Sequence, residues 1–149
     1  MKPAIALFVG LALPIAALGQ GLSPKGVAEA RVLRYREVGA AFKTIKDQMK
    51  SGTLIKLTAR LSARTIAAAA RDQYQWFPPG SGAESGAKTK ARPAIWSNPA
   101  EFHQAQLALQ READVMTRVV EAGDVAAVQK QTKILGQTCA ACHKSFRTD

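Results

Sequence analysis

The chain has 149 residues, of which 47% are hydrophobic, 21% charged and only 6% aromatic. That allows one domain with a real core and no second domain of ordinary size. Two cysteines are too few for a disulfide scaffold, and two histidines too few for most all-protein metal sites. The formal charge of +10 invites a nucleic-acid reading, which the order of the residues has to bear out or refuse.

Met1-Lys2 leads into an apolar stretch from Ala4 to Leu18, with Pro14 inside it, that closes on Ala17-Leu18-Gly19. A basic start, a short apolar run and a small-x-small end describe a secretory signal. Cleavage is expected before Gln20, giving a leader of residues 1–19 and a mature domain of residues 20–149. The run, about 15 residues, falls short of the roughly 20 that span a bilayer; an uncleaved anchor helix is the alternative. Export points to a periplasmic protein. It counts against a nucleic-acid partner and against stable membrane association once the leader is gone.

Ser23-Pro24 is a good helix start, a side-chain cap followed by a residue that needs no N–H. From there Ala28, Tyr35, Phe42 and Met49 recur at sevens, with Val38 and Ile45 between them, as far as Ser51-Gly52. A second helix is expected from Thr53 to about Trp76, carrying Leu54, Leu57, Leu61 and the Ala67–Ala70 run. Phe77-Pro78-Pro79-Gly80 breaks it, and a loop rich in Gly, Pro, Ala and Lys continues to Asn98. The third helix runs from Pro99 to Glu121 with Phe102, Leu109 and Met116 on one face. Gly123-Asp124 makes a turn and cap, and the last helix bears Val125, Val128, Leu135, Cys139, Cys142 and Phe146. No segment alternates with period two for long enough to make a strand. The fold expected is all-α: an antiparallel up-down-up-down four-helix bundle.

Cys139-Ala140-Ala141-Cys142-His143 is C-x-x-C-H, the attachment signature of a c-type haem. On a helix, positions i and i+3 share a face, so both thiols can reach the vinyl groups of one porphyrin. His143 can then place its imidazole under the iron as the proximal ligand. One motif implies one haem c, covalent through Cys139 and Cys142. The rival readings lack context. A thioredoxin-like pair needs a βαβ unit, a zinc site needs ligands beyond His103, and cysteines one helical turn apart close a disulfide poorly.

Two residues of the first helix stand out against the motif. Arg31 lies on a seam that is otherwise mostly apolar, where it needs a buried anion such as a haem propionate or must snorkel out at the bundle end. One turn on, Tyr35 faces the open side of the haem or simply packs in the core. Tyr74, Trp76, Phe77 and Trp96 flank the long loop and are expected to close that end of the bundle. The run Lys88-Thr89-Lys90-Ala91-Arg92 reads as a solvated loop that could dock an acidic redox partner, and His103 reads as a surface histidine.

An export signal, four helices and a C-x-x-C-H just before the C terminus together resemble the class II c-type cytochromes, the cytochrome c′ family. The likeness is carried by Ala30-Arg31 through Phe42-Lys43, by Pro93-Ala94-Ile95-Trp96, and by Thr138 through Arg147 around the motif. It implies that Arg31 lies near the propionates and that the distal position, four residues later, is Tyr35. A register through Arg36 would put Ala40 there instead. Arg147 matches the family's basic residue on the proximal side. Tyr35 departs from both the ligating Met of low-spin members and the inert residue of high-spin ones. Neutral, it could shield the iron and donate a hydrogen bond to a diatomic ligand; ionised, it could ligate iron. The resemblance implies a haem protein rather than an enzyme, binding NO, with CO as a further ligand, at five-coordinate iron. The alternative is a six-coordinate electron carrier serving a small redox protein. It further implies a homodimer through the first two helices.

Overall fold

In the computed structural model, which describes residues 21–148, Ser23 opens the first helix as its side chain suggests. Its Oγ accepts the N–H of Gly26 at 3.2 Å, and Pro24 follows at the first helical position. The expected leader and its cleavage point before Gln20 lie outside the described residues. Helix α1 (Pro24–Ser51) ends at Gly52, whose φ of 71° is the left-handed turn that glycine makes at least cost. Helix α2 (Lys56–Asp72) continues into a single 3₁₀ turn, Gln73–Gln75. A four-residue helix, α3 (Ala94–Ser97), interrupts the long loop. Helices α4 (Pro99–Ala122) and α5 (Val125–Phe146) complete the fold.

The four long helices form an antiparallel up-down-up-down ring, α1 beside α2, α2 beside α4, α4 beside α5, and α5 returning to α1. This is the four-helix bundle the periodicity predicts. Ion pairs from Arg60 and Arg64 to Glu121, and from Arg71 to Asp114, fasten α2 to α4 on the surface. Gln131 ties α5 to α4 through the backbone and side chain of Glu112. The α1–α5 seam is the least closely packed of the four.

Two local differences from the sequence reading have plain causes. Helix α2 begins at Lys56 rather than Thr53 because Gln48 claims the residues between. The Gln48 carbonyl accepts the Thr53 N–H at 3.2 Å and its side-chain oxygen accepts the Ile55 N–H at 2.8 Å. Leu57 and Leu61 face outward; the inner side of α2 is made of Ala59, Ala63, Ile66, Ala67 and Ala70. Small side chains there let neighbouring helices come close.

The core falls into two clusters. The larger joins Val38, Ile45, Ile66, Met116, Val120, Val128 and Leu135 across all four long helices. The smaller gathers Ile95, Phe102 and Phe146, with Phe77, Trp96 and Cys142 against it. Tyr35 on α1 and Cys139 on α5 belong to neither.

Candidate haem site

Asp124 sets the register of the helix that carries the motif. Its carboxylate accepts the Ala127 N–H at 3.0 Å and caps α5. Four turns later Cys139 and Cys142 stand one turn apart, both partly buried and both free thiols. Burial raises both above the ordinary thiol range; Cys142, with Cys139 beside it, is pushed up to about 11. His143 lies at the helix surface, and the burial it has, together with nearby Arg147, holds its imidazole below the usual value. Arg147 is exposed and ends α5, its N–H returning to the His143 carbonyl at 3.0 Å.

Arg31 is 2% exposed, so the seam position the sequence gives it is a buried one. Nη1 donates to the Trp76 carbonyl at 2.8 Å and to Ser81 Oγ at 3.0 Å. Nη2 donates to the Ser81 carbonyl at 2.7 Å and to Thr89 Oγ1 at 3.2 Å. The guanidinium also stacks 4.4 Å over the Phe77 ring. All four Nη hydrogens therefore go to the long loop. No carboxylate lies within ion-pair distance of Arg31 among the described residues. Burial lowers its pKa, partly offset by the fields of Tyr35 and Glu84.

Tyr35 packs edge-on to Trp76, with ring centroids 5.2 Å apart, and against Phe77. Its hydroxyl donates to Gln73 Oε1 at 3.0 Å. Burial raises its pKa, and the neighbouring Cys142 and Cys139 thiols add to the rise against the opposing field of Arg31. Arg36 and Ala40, the residues of the competing register, are exposed.

Gln73 and Gln106 went unnoticed in the sequence, yet both are buried. Gln73 Nε2 donates to the Ala70 carbonyl at 3.0 Å and to the Gln106 carbonyl at 3.3 Å. The signal was available: Ile66, Ala70, Gln73 and Phe102, Gln106, Leu109 each continue a core seam at spacings of three and four. The same test singled out Arg31.

The loop aromatics do close one end of the bundle. Trp76 is buried, and Trp96 Nε1 donates to the Phe77 carbonyl at 3.1 Å. His103 is exposed, with its ring against Tyr74. The Lys88–Arg92 run is more than a solvated loop. Ala91 bridges Arg147, the Arg92 N–H meets the Phe146 carbonyl at 3.0 Å, and the Thr148 N–H meets the Lys90 carbonyl at 2.9 Å.

Two free thiols one turn apart and an adjoining imidazole form a donor set that fits a covalently held haem. An all-α bundle with this arrangement on its last helix defines the class of c-type haem proteins. A family profile described as Cytochrome C' matches residues 27–147, and the chain belongs to the cytochrome c′ family. Its cofactor is haem c. The chain is 30% identical over 125 residues to cytochrome c' of Pararhodospirillum photometricum, covering 84% of this chain and 98% of that one. The crystal structure of cytochrome c' from Thermochromatium tepidum superposes with a TM-score of 0.80 at 25% identity, covering 86% and 98% of the two chains. A nitric oxide complex of a variant of cytochrome c prime from Alcaligenes xylosoxidans shares the fold at 21% identity, with a TM-score of 0.77 over 87% and 100%.

Proposed function

We propose that the protein is a periplasmic monohaem cytochrome whose mostly five-coordinate iron binds a small diatomic gas, NO above all. The observation that carries this reading is Tyr35, a partly buried phenol whose hydroxyl is bonded to Gln73 and which lies in the field of the two thiols of the attachment motif. Cys139 and Cys142 would hold the haem covalently, His143 would supply the proximal imidazole, and Tyr35 would crowd the opposite side. Arg31 and Arg147 would be the basic residues that the family resemblance sets near the propionates and on the proximal side. The haem supplies a redox-active iron with one exchangeable coordination position. The chain's part is to anchor it, keep water from the distal side and limit what enters. The Alcaligenes protein's nitric oxide complex, and a carbon monoxide complex of another of its variants, support a gas-binding reading. Exposed Arg36 and Ala40 favour the register that places Tyr35 on the distal side.

The mature domain is residues 20–149, exported by the leader. No helix among the described residues is long and apolar enough to cross a membrane. A homodimer through α1 and α2 is supported by the outward apolar residues Leu33, Leu57 and Leu61, which are more than half exposed. A related structure whose dimer dissociates under ligand control adds to that support.

A second reading, electron transfer to an acidic redox protein, is favoured by the stitched basic face. Lys88, Lys90 and Arg92 are held beside Lys144 and Arg147, and neither residues 85–100 nor 125–148 contain an Asp or Glu. Optical spectra of the purified holoprotein separate the two. A broad high-spin ferrous Soret band that sharpens with NO supports gas binding; split low-spin α and β bands in both oxidation states would sink it.

A further inference from the structure

The hydroxyl of Tyr35 is committed before any ligand arrives. It donates to Gln73 Oε1 at 3.0 Å, and the orientation of that amide is not free. Gln73 Nε2 donates to two carbonyls, Ala70 at 3.0 Å and Gln106 at 3.3 Å. Turning the amide over would set Oε1 against both carbonyl oxygens and lose both bonds. Gln106 closes the other side, its own Nε2 donating to the Gln73 carbonyl at 3.4 Å. Gln73 and Gln106 are 2% and 5% exposed, so water offers neither a cheap substitute partner. The phenol thus meets a fixed acceptor with its single proton, and the lone pairs of its oxygen are what remain for anything else.

We propose that Gln73 is a positioning residue that sets the polarity of the distal pocket. By taking the Tyr35 proton, it makes the tyrosine present oxygen lone pairs, not an O–H, to a bound diatomic. This rests on Tyr35 being the distal residue. It reverses the simplest expectation for a distal tyrosine, that of a hydrogen-bond donor. A ligand whose outer atom gathers negative charge on binding, such as dioxygen, gains nothing there and meets a repulsive oxygen. NO and CO, which carry little charge on that atom, are disfavoured far less. Selectivity among gases then depends on a 3₁₀ turn outside the haem-carrying helix.

The test uses the ferrous holoprotein with CO as probe and reads the C–O stretch by infrared spectroscopy, together with the CO binding and dissociation rates. An O–H pointed at the ligand pulls electron density onto it and lowers the stretch. Wild type is expected to show a higher stretch than Tyr35→Phe, because the tyrosine turns lone pairs toward the ligand and phenylalanine offers neither lone pair nor donor. Gln73→Met frees the hydroxyl, so the stretch should fall and CO dissociation slow by about fivefold, the worth of one ordinary hydrogen bond. The double variant Tyr35→Phe/Gln73→Met should show the frequency of Tyr35→Phe alone. A rise in frequency on Tyr35→Phe alone would show that the tyrosine already donates to the ligand and would overturn the proposal. So would an unchanged frequency in folded Gln73→Met. If Gln73→Met does not fold, the comparison of wild type with Tyr35→Phe decides. Tyr35→Ala tests the reading beneath: it should speed CO binding if Tyr35 is distal, and an unchanged rate and frequency there would remove Tyr35 from the site altogether.

Discussion

Arg31 grips Ser81 twice across fifty residues, Nη1 donating to the hydroxyl at 3.0 Å and Nη2 to the carbonyl at 2.7 Å. With Trp76 and Thr89 also bound, one buried side chain of α1 holds three points of the loop that closes the bundle end. The loop has little regular structure of its own beyond a 3₁₀ turn at Ala83–Ser85 and the short α3. Arg31 therefore acts as its fastening whatever else the charge does.

Arg31→Met should destabilise the holoprotein by about 3 kcal/mol, since charge-assisted bonds are lost and buried carbonyls are left without donors. Arg31→Lys should recover little, because an ammonium cannot reproduce the guanidinium fork. Urea denaturation gives the first number. Trypsin cleavage at Lys88 and Lys90 should become fast in the same variants. An unchanged midpoint with a resistant loop would mean that the loop is held by its other contacts.

Tyr35 predicts a pH effect with a definite sign. Burial raises its pKa above the value near 10 of a free tyrosine. Its neutral form is thus favoured by folding, and the stabilisation is present below about pH 10 and lost as pH climbs through the raised folded value. Wild type should lose stability more steeply above about pH 10 than Tyr35→Phe does. The ferric optical spectrum should show no tyrosinate charge-transfer band near neutral pH. Finding that band at pH about 7 would show that iron has drawn off the proton, and the six-coordinate alternative would gain.

Asp124 offers a separation of stability from site chemistry. Its carboxylate caps α5 at the end of the helix remote from the cysteines. Asp124→Ala should cost about 1 kcal/mol of stability. The Soret position and CO kinetics should stay as in wild type. If the spectra moved with the cap, α5 would be shifting as a rigid rod and the haem environment would depend on its register.

The elements of this fold were legible wherever the determining residues are close in sequence. Ser23-Pro24 and Gly123-Asp124 cap helices that they adjoin, and both boundaries fall where those residues put them. The start of α2 was not legible, because the group that consumes the Ile55 N–H is Gln48, seven residues back on another helix. Periodicity could say that Leu57 and Leu61 share a face but not which way the face looks. The inward side is given to Ala59 and Ala63, whose small size carries no obvious hydrophobic signal. The motif residues Cys139, Cys142 and His143 announce themselves by spacing. The Gln73–Gln106 pair is a contact between two seams that only the assembled bundle brings together.

Leu61→Glu tests the outward face of α2. Leu57 and Leu61 lie on the same side of that helix as Thr65, Ala68 and Asp72, which line a groove of about 590 Å³ shared with Arg34 and Glu37 of α1. An apolar stripe beside a shallow groove suits a copy of itself, since a two-fold interface presents the same patch twice. Cut at the proposed site and so without Lys2, the chain would carry twenty Lys and Arg against eleven Asp and Glu, so two copies would repel at long range. Salt screens that repulsion beyond about 10 Å at 0.1 M and leaves apolar contact intact. The wild-type holoprotein should therefore sediment as a dimer that tightens as salt is raised. Leu61→Glu should sediment as a monomer with an unaltered Soret band. A dimer that loosens with salt would point instead to ion pairs across the interface, and an unaffected Leu61→Glu dimer would move the interface off this face.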